Sequence, residues 1–190
     1  MVNTISIDVD DKLNAYAADV IATTAPRCKS HHYGNLYDET RPLISNDFIQ
    51  KHPLNQTSFN AISLVQSPYY WKVNIPLPPI SILQPIIDDL ERRLLKQFKF
   101  IRSSMFYPIG GFMGWHTNDD MPGFRVYLTY SDTGNSCFKS ITPQTHLNIS
   151  HDRPGWFVRT FEPTNKYDHY LWHCVDSYGS NRISIGMLFK

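Results

Sequence analysis

The sequence predicts an α+β fold that is mainly β, a sandwich, barrel or jelly roll, with N-terminal helices buttressing it. Three observations point there. After Phe98 the chain breaks into short strand-like runs separated by turn clusters. Eleven Tyr, eleven Phe and four Trp favour strands, and thirteen Pro supply turns. Before Phe98, two stretches carry apolar residues at helical spacing.

The first helix is expected over Asp11 to Thr24, with Leu13, Tyr16, Ala17, Val20 and Ile21 on one face. Asp10 and Asp11 suit the positive end of its dipole, and Pro26 lies just beyond its expected end. The second is expected from about Ser81 to Phe98, with Leu83, Ile86, Ile87, Leu90, Leu94 and Phe98 as its apolar stripe. Pro85 is tolerable there only in the first turn. Residues 27–79 between the helices are turn-rich and poorly patterned, the kind of insertion that often covers a substrate. Strands are expected at Phe100 to Pro108, Phe124 to Tyr130, Cys137 to Ile141, Trp156 to Phe161, Tyr170 to Val175 and Arg182 to Phe189. One domain over residues 1–190 follows: helical, irregular support over 1–98 and a β core over 99–190.

Composition narrows the function classes. The 190 residues carry 18 Lys+Arg against 17 Asp+Glu, a net charge of +1, which argues against broad binding to nucleic acid or anionic membrane. With 18% charged and 14% aromatic residues, the chain is not of disordered composition. No run of about 18 apolar residues occurs, so no spanning helix is expected. The first residues lack a basic start and an apolar run, so no signal peptide is expected. Cys28, Cys137 and Cys174 are too few and too dispersed for a disulfide scaffold and fit a reducing, cytoplasmic setting.

Of eight histidines, His31, His32, His52, His146, His151 and His169 lie in loop-like sequence and read as solvated surface. His116 and His173 differ, because each directly follows a tryptophan, Trp115 and Trp172, beside an expected strand. An imidazole among aromatic residues is either a satisfied core group or a ligand. Upstream of His116 runs Tyr107-Pro-Ile-Gly110-Gly111-Phe-Met-Gly114-Trp115, and downstream run Thr117, Asn118, Asp119 and Asp120, then Pro122-Gly123-Phe124-Arg125-Val126-Tyr127-Leu128. The ending reads His173-Cys-Val-Asp-Ser-Tyr-Gly-Ser-Asn-Arg182-Ile-Ser184.

This order of features resembles the Fe(II)- and 2-oxoglutarate-dependent oxygenases, whose pattern is Tyr-x-x-Gly, His-x-Asp/Glu, a distal His, and Arg-x-Ser on the last core strand. The likeness covers residues 98–190 and is nearest to prolyl hydroxylases, with Asp/Asn β-hydroxylases a second likeness through His116-Thr117-Asn118. It implies a double-stranded β-helix, cupin-like in its jelly-roll form. His116 and His173 would then be iron ligands, presented from neighbouring strands. Arg182 would pair with the distal carboxylate of 2-oxoglutarate, and Ser184, on the same strand face, would add a hydrogen bond. Tyr107 and Tyr127 are secondary candidates for cosubstrate contacts, with plain packing the alternative. Arg125 is expected to hold a carboxylate or to form a surface ion pair, Trp115 and Trp172 to wall the pocket, and Cys174 to face away from it.

One position departs from the family pattern. Asn118 stands where the family has Asp or Glu, and three resolutions follow: Asn118 as a neutral third ligand, Asp119 or Asp120 swinging in, or two histidines alone. The reading favours two histidines with Asn118 on or beside the metal.

The resemblance implies hydroxylation of an amino-acid side chain, free or in a polypeptide, using O2 and 2-oxoglutarate and releasing succinate and CO2. The near-neutral charge weighs against a nucleic-acid substrate. Two rivals stand beside it. A catalytically inactive jelly-roll structural or ligand-binding module takes its support from Asn118, whereas a cupin-like metal enzyme would need a closer histidine pair and a glutamate that are not found.

Overall fold

The computed structural model describes residues 2–30, 44–51, 54, 70–118, 121–164, 166 and 169–190. His31, His32, His52, Asp119, Asp120 and most of the 27–79 stretch lie outside the described residues. The elements are β1 (Asn3–Ile5), α1 (Asp11–Ser30), α2 (Asn46–Gln50), β2 (Tyr70–Trp71), β3 (Val73–Asn74) and α3 (Ile80–Leu94). Then come β4 (Phe98–Tyr107), β5 (Gly111–His116), β6 (Phe124–Ser131), β7 (Cys137–Ile141), β8 (Asn148–His151), β9 (Gly155–Phe161), β10 (Trp172–Ser177) and β11 (Arg182–Phe189).

The strands form two antiparallel sheets. One has the order β1-β9-β6-β11-β4-β3 and the other β2-β5-β10-β7-β8. From β4 onward the chain alternates between them except at the β7–β8 hairpin: β4, β6, β9 and β11 lie in the first, β5, β7, β8 and β10 in the second. That alternation makes a jelly-roll-like β-sandwich. The N-terminal part adds three short strands, pairing β1 with β9, β3 with β4 and β2 with β5.

Side-chain alternation along the strands sorts the core into layers. Val126, Leu128, Val158, Ile183, Ile185, Met187 and Phe189 point from the first sheet onto Leu13 and Ala17 of α1 and Leu83, Ile87 and Leu90 of α3. Tyr107, Phe138, Phe161, Leu171 and Val175 meet between the sheets. Phe112, Trp115, Ile141, Trp172 and Cys174 cover the outer face of the second sheet and pack on Ile44 and Ile49.

Both helices depart from expectation at their ends. The first helix runs through Pro26 to Ser30, since Pro26 and Ala22, whose carbonyl it leaves unbonded, both lie on the exposed side. The second ends at Leu94, where Leu95 turns left-handed (φ 54°) and its N–H closes on the Glu91 carbonyl. Phe98 therefore opens β4 instead of closing the helix stripe. Pro85 sits in the second turn of α3, again on the exposed face.

Candidate active site

A β-bulge brings the two singled-out histidines together. His116 pairs with His173, and Met113 pairs with Val175, so β5 spends three steps where β10 spends two. The extra residue breaks the alternation. It turns Trp115 to the outer face with Phe112 while His116 turns inward with Met113. The imidazole rings of His116 and His173 lie with centroids 4.1 Å apart and planes at 54°. Gly111 and Gly114 give this strand the look of a turn in the sequence.

Each ring is oriented by its own strand. His116 Nδ1 donates to the Gly114 carbonyl at 2.8 Å and His173 Nδ1 to the Leu171 carbonyl at 3.0 Å. A carbonyl only accepts, so Nδ1 carries the proton and Nε2 the lone pair in both. Burial holds His116 down to about 4, helped by the positive charges of Lys72 and Arg102. Burial, then the neighbouring His116, puts His173 well below its usual value. Both are neutral at pH 7. Phe138 stacks on His173 at 5.3 Å and Phe161 leans on it at 5.0 Å.

Asn118 stands beside this pair. Its Nδ2 donates to His173 Nε2 at 2.9 Å, from a left-handed backbone (φ 57°) that asparagine tolerates better than most residues. Among the described residues, no group of three His, Cys, Asp or Glu side chains is placed to share a cation. Asp119 and Asp120 lie outside them.

The interior of the first sheet supplies cations. Arg182 is fully buried, not on the surface. Its Nε donates to Asp152 Oδ2 at 2.8 Å, while Nη1 and Nη2 are buried without a hydrogen-bond partner among the described residues. Its guanidinium lies over the Tyr107 ring, 5.5 Å from the centroid. Arg159 donates to Asp152 Oδ1 at 2.9 Å and sits between the rings of Phe138 and Phe157 at 5.1 and 5.2 Å. Burial alone would raise the Asp152 pKa, yet the two guanidinium groups pull it to about 2. Neither Asp152 nor Arg159 was legible as a site residue, because each stands in an ordinary strand or turn context and they meet only across the sandwich.

The remaining candidates fall as follows. Ser184 is buried and, two residues from Arg182 on β11, shares its face. Tyr107 is buried and reaches Met113 Sδ at 3.6 Å. Tyr127 meets Phe161 edge-on at 5.0 Å, and its hydroxyl interacts with the Asn118 side chain within the field of Arg182. It thus links the histidine end of the interior to the arginine end. Arg125 is buried, not on the surface, and donates from Nη2 to the Met121 carbonyl.

Trp115 and Trp172 do not wall this interior. Both face outward, and their indole N–H groups hold the Ser45 and Leu54 carbonyls across the outer face. Cys174 faces outward with Trp172, as strand alternation predicts.

No protein-family model matches the chain. No curated protein matches it either. Among solved structures it is similar to a prolyl hydroxylase in complex with a hypoxia inducible factor oxygen degradation domain peptide fragment from Trichoplax adhaerens. The identity is 14% and the TM-score 0.44, over 94% of this chain and 89% of that one.

Proposed function

We propose that the chain is an Fe(II)- and 2-oxoglutarate-dependent dioxygenase built on a double-stranded β-helix, acting on an amino-acid side chain, free or in a polypeptide. The observation that carries this is the pairing of two buried, neutral imidazoles with a buried arginine whose two terminal nitrogens have no hydrogen-bond partner among the described residues.

The residues present fit the metal in kind. Two imidazoles with Nδ1 tied to carbonyls offer Nε2 lone pairs, the usual arrangement of a ligating histidine. Asn118 is within reach of the same point, and a half-turn of its amide would offer oxygen in place of nitrogen. This donor set carries no charge, so it holds a divalent cation less tightly than a set with a carboxylate. With 2-oxoglutarate bound, iron supplies the oxidation that yields succinate, CO2 and a hydroxylated C–H bond.

The chain's own residues do the rest. His116, His173 and Asn118 would hold the metal. Arg182 and Ser184 would take the distal carboxylate, over the ring of Tyr107 and with Tyr127 alongside. Phe138 and Phe161 exclude water beside His173. No helix of the described residues is long and apolar enough to cross a membrane.

The test is succinate production. Iron-loaded protein with 2-oxoglutarate and O2 should release succinate when offered the right member of an amino-acid and peptide panel, and Arg182→Ala should not. A second reading, an inactive jelly-roll module, draws on the uncharged Asn118 in the acid's place. It predicts neither metal retention nor succinate.

A further inference from the structure

Asp152 is a buried carboxylate that accepts three side-chain hydrogen bonds. Its Oδ2 takes Arg182 Nε at 2.8 Å and the Ser136 hydroxyl at 2.7 Å, and its Oδ1 takes Arg159 Nη2 at 2.9 Å. The side chains of Asp152, Arg159 and Arg182 are all fully buried. From Ser136 a line of hydroxyls continues through Ser131 (3.1 Å) and Ser180 (2.6 Å) to Asp132 Oδ1 (2.6 Å). Asp132 in turn holds Asn181, the residue before Arg182, by its backbone N–H at 2.9 Å and its side-chain amide at 2.8 Å. One buried network therefore fixes Arg182 twice, at its chain neighbour and at its Nε.

That double attachment has a geometric result. A guanidinium is planar, so once Nε is tied and the Tyr107 ring lies against one face, the terminal nitrogens have one setting left. Those two nitrogens have no hydrogen-bond partner among the described residues, and neither do Nε and Nη1 of Arg159. The charges agree: two guanidinium groups against one carboxylate leave the trio one positive charge in excess, which a single carboxylate neutralises.

We propose that Asp152, braced by Arg159 and Ser136, is the positioning residue that fixes the reach of Arg182 and so sets the length of dicarboxylate the interior accepts. This rests on the reading of His116 and His173 as the anchor for the other end of that acid. With Asp152 in place, the span between the histidine pair and the Arg182 terminal nitrogens is constant. Without it the arginine's rotors are released, and acids one carbon shorter or longer fit nearly as well.

The test is direct binding, without turnover. Calorimetry on the full chain loaded with Mn(II), under argon, gives dissociation constants for oxaloacetate, 2-oxoglutarate and 2-oxoadipate. The wild type should prefer one length by about 10- to 200-fold, the worth of one methylene in a fitted pocket. In Asp152→Asn that ratio should collapse toward one. Ser136→Ala, which removes one donor to the same oxygen, should narrow it in the same direction and carries the test if Asp152→Asn does not fold. Val158→Ala, on the helix-facing side, should lose stability yet keep the wild-type ratio.

A wild type with clear length preference that survives in Asp152→Asn and Ser136→Ala would overturn the proposal and leave the dioxygenase reading standing. So would a uniform loss of affinity for all three acids. A metal-loaded wild type that binds none of the three would overturn that reading, and the proposal with it.

Discussion

His116 and His173 face each other across the β5–β10 pair, and each gives its Nδ1 proton to the carbonyl two residues before it. The shared pattern leaves two Nε2 lone pairs in one buried place. It depends on the bulge at Gly114–Trp115, without which strict alternation would send His116 to the outer face.

Removing either half of that pair should weaken metal binding. His116→Ala and His173→Ala are each expected to weaken Co(II) binding by at least about 100-fold, a loss of about 2.7 kcal/mol. Visible absorption of the Co(II) complex at pH 7 checks this, with circular dichroism to confirm that the sheets persist. Tight Co(II) binding in either folded variant would contradict the ligand assignment.

Asn118→Asp should strengthen metal binding, by about tenfold or more, since a carboxylate brings charge as well as oxygen to the same position. The left-handed backbone at this residue (φ 57°) tolerates Asp, so the substitution costs little conformationally. Competition titration against a chelator reads the change. Equal affinities would show that residue 118 does not reach the metal.

The metal-free protein should lose stability as pH falls from neutrality. His116 titrates at about 4 and His173 well below 6.5 in the folded state, against about 6.5 for both in the unfolded chain. Across pH 6.5 to 4 the unfolded state therefore binds more protons, and the free energy of unfolding rises with pH over that window. Each unit of depression contributes about 1.4 kcal/mol. Asp152, at about 2 against 3.8 unfolded, continues the same slope below pH 4. Denaturant midpoints measured from pH 7 to 4 should fall steadily. A flat profile would mean that the imidazoles are not buried in neutral form.

Gly186→Ala should disturb Tyr127. A Cβ at Gly186 would lie 2.7 Å from Ser103 Oγ and 3.0 Å from Tyr127 Cε1, in the interior row where these three residues are strand neighbours. Overpacking of this kind costs about 1–3 kcal/mol. Thermal unfolding and 2-oxoglutarate titration of the variant should both register it, and an unchanged affinity would detach Tyr127 from the cosubstrate.

Much of the core was legible because its strands are short, aromatic and bounded by turns. Cys137–Ile141 and Arg182–Phe189 are found at the expected boundaries, and Phe124–Ser131 and Gly155–Phe161 one residue longer. Gly111–His116 does not read as a strand because Gly111 and Gly114 read as turn formers, although Gly114 lies within the bulge that turns His116 inward. The same bulge explains why Trp115, expected at the pocket wall, lies outside it. Arg182 and Ser184 could be assigned to one face from spacing alone. Asp152 could not, since it follows β8 at the edge of the second sheet and reaches Arg182 on β11 of the first only across the folded sandwich.

The most direct test of the central claim is an anaerobic titration of the full chain with Fe(II) and then 2-oxoglutarate, followed by visible absorption. The account predicts a charge-transfer band of the metal-chelated 2-oxo acid in the wild type, absent in His173→Ala and weakened in Arg182→Ala. Folded wild-type protein that gives no band at saturating iron and 2-oxoglutarate would contradict it and favour the inactive module, with Asn118 as the first residue to restore.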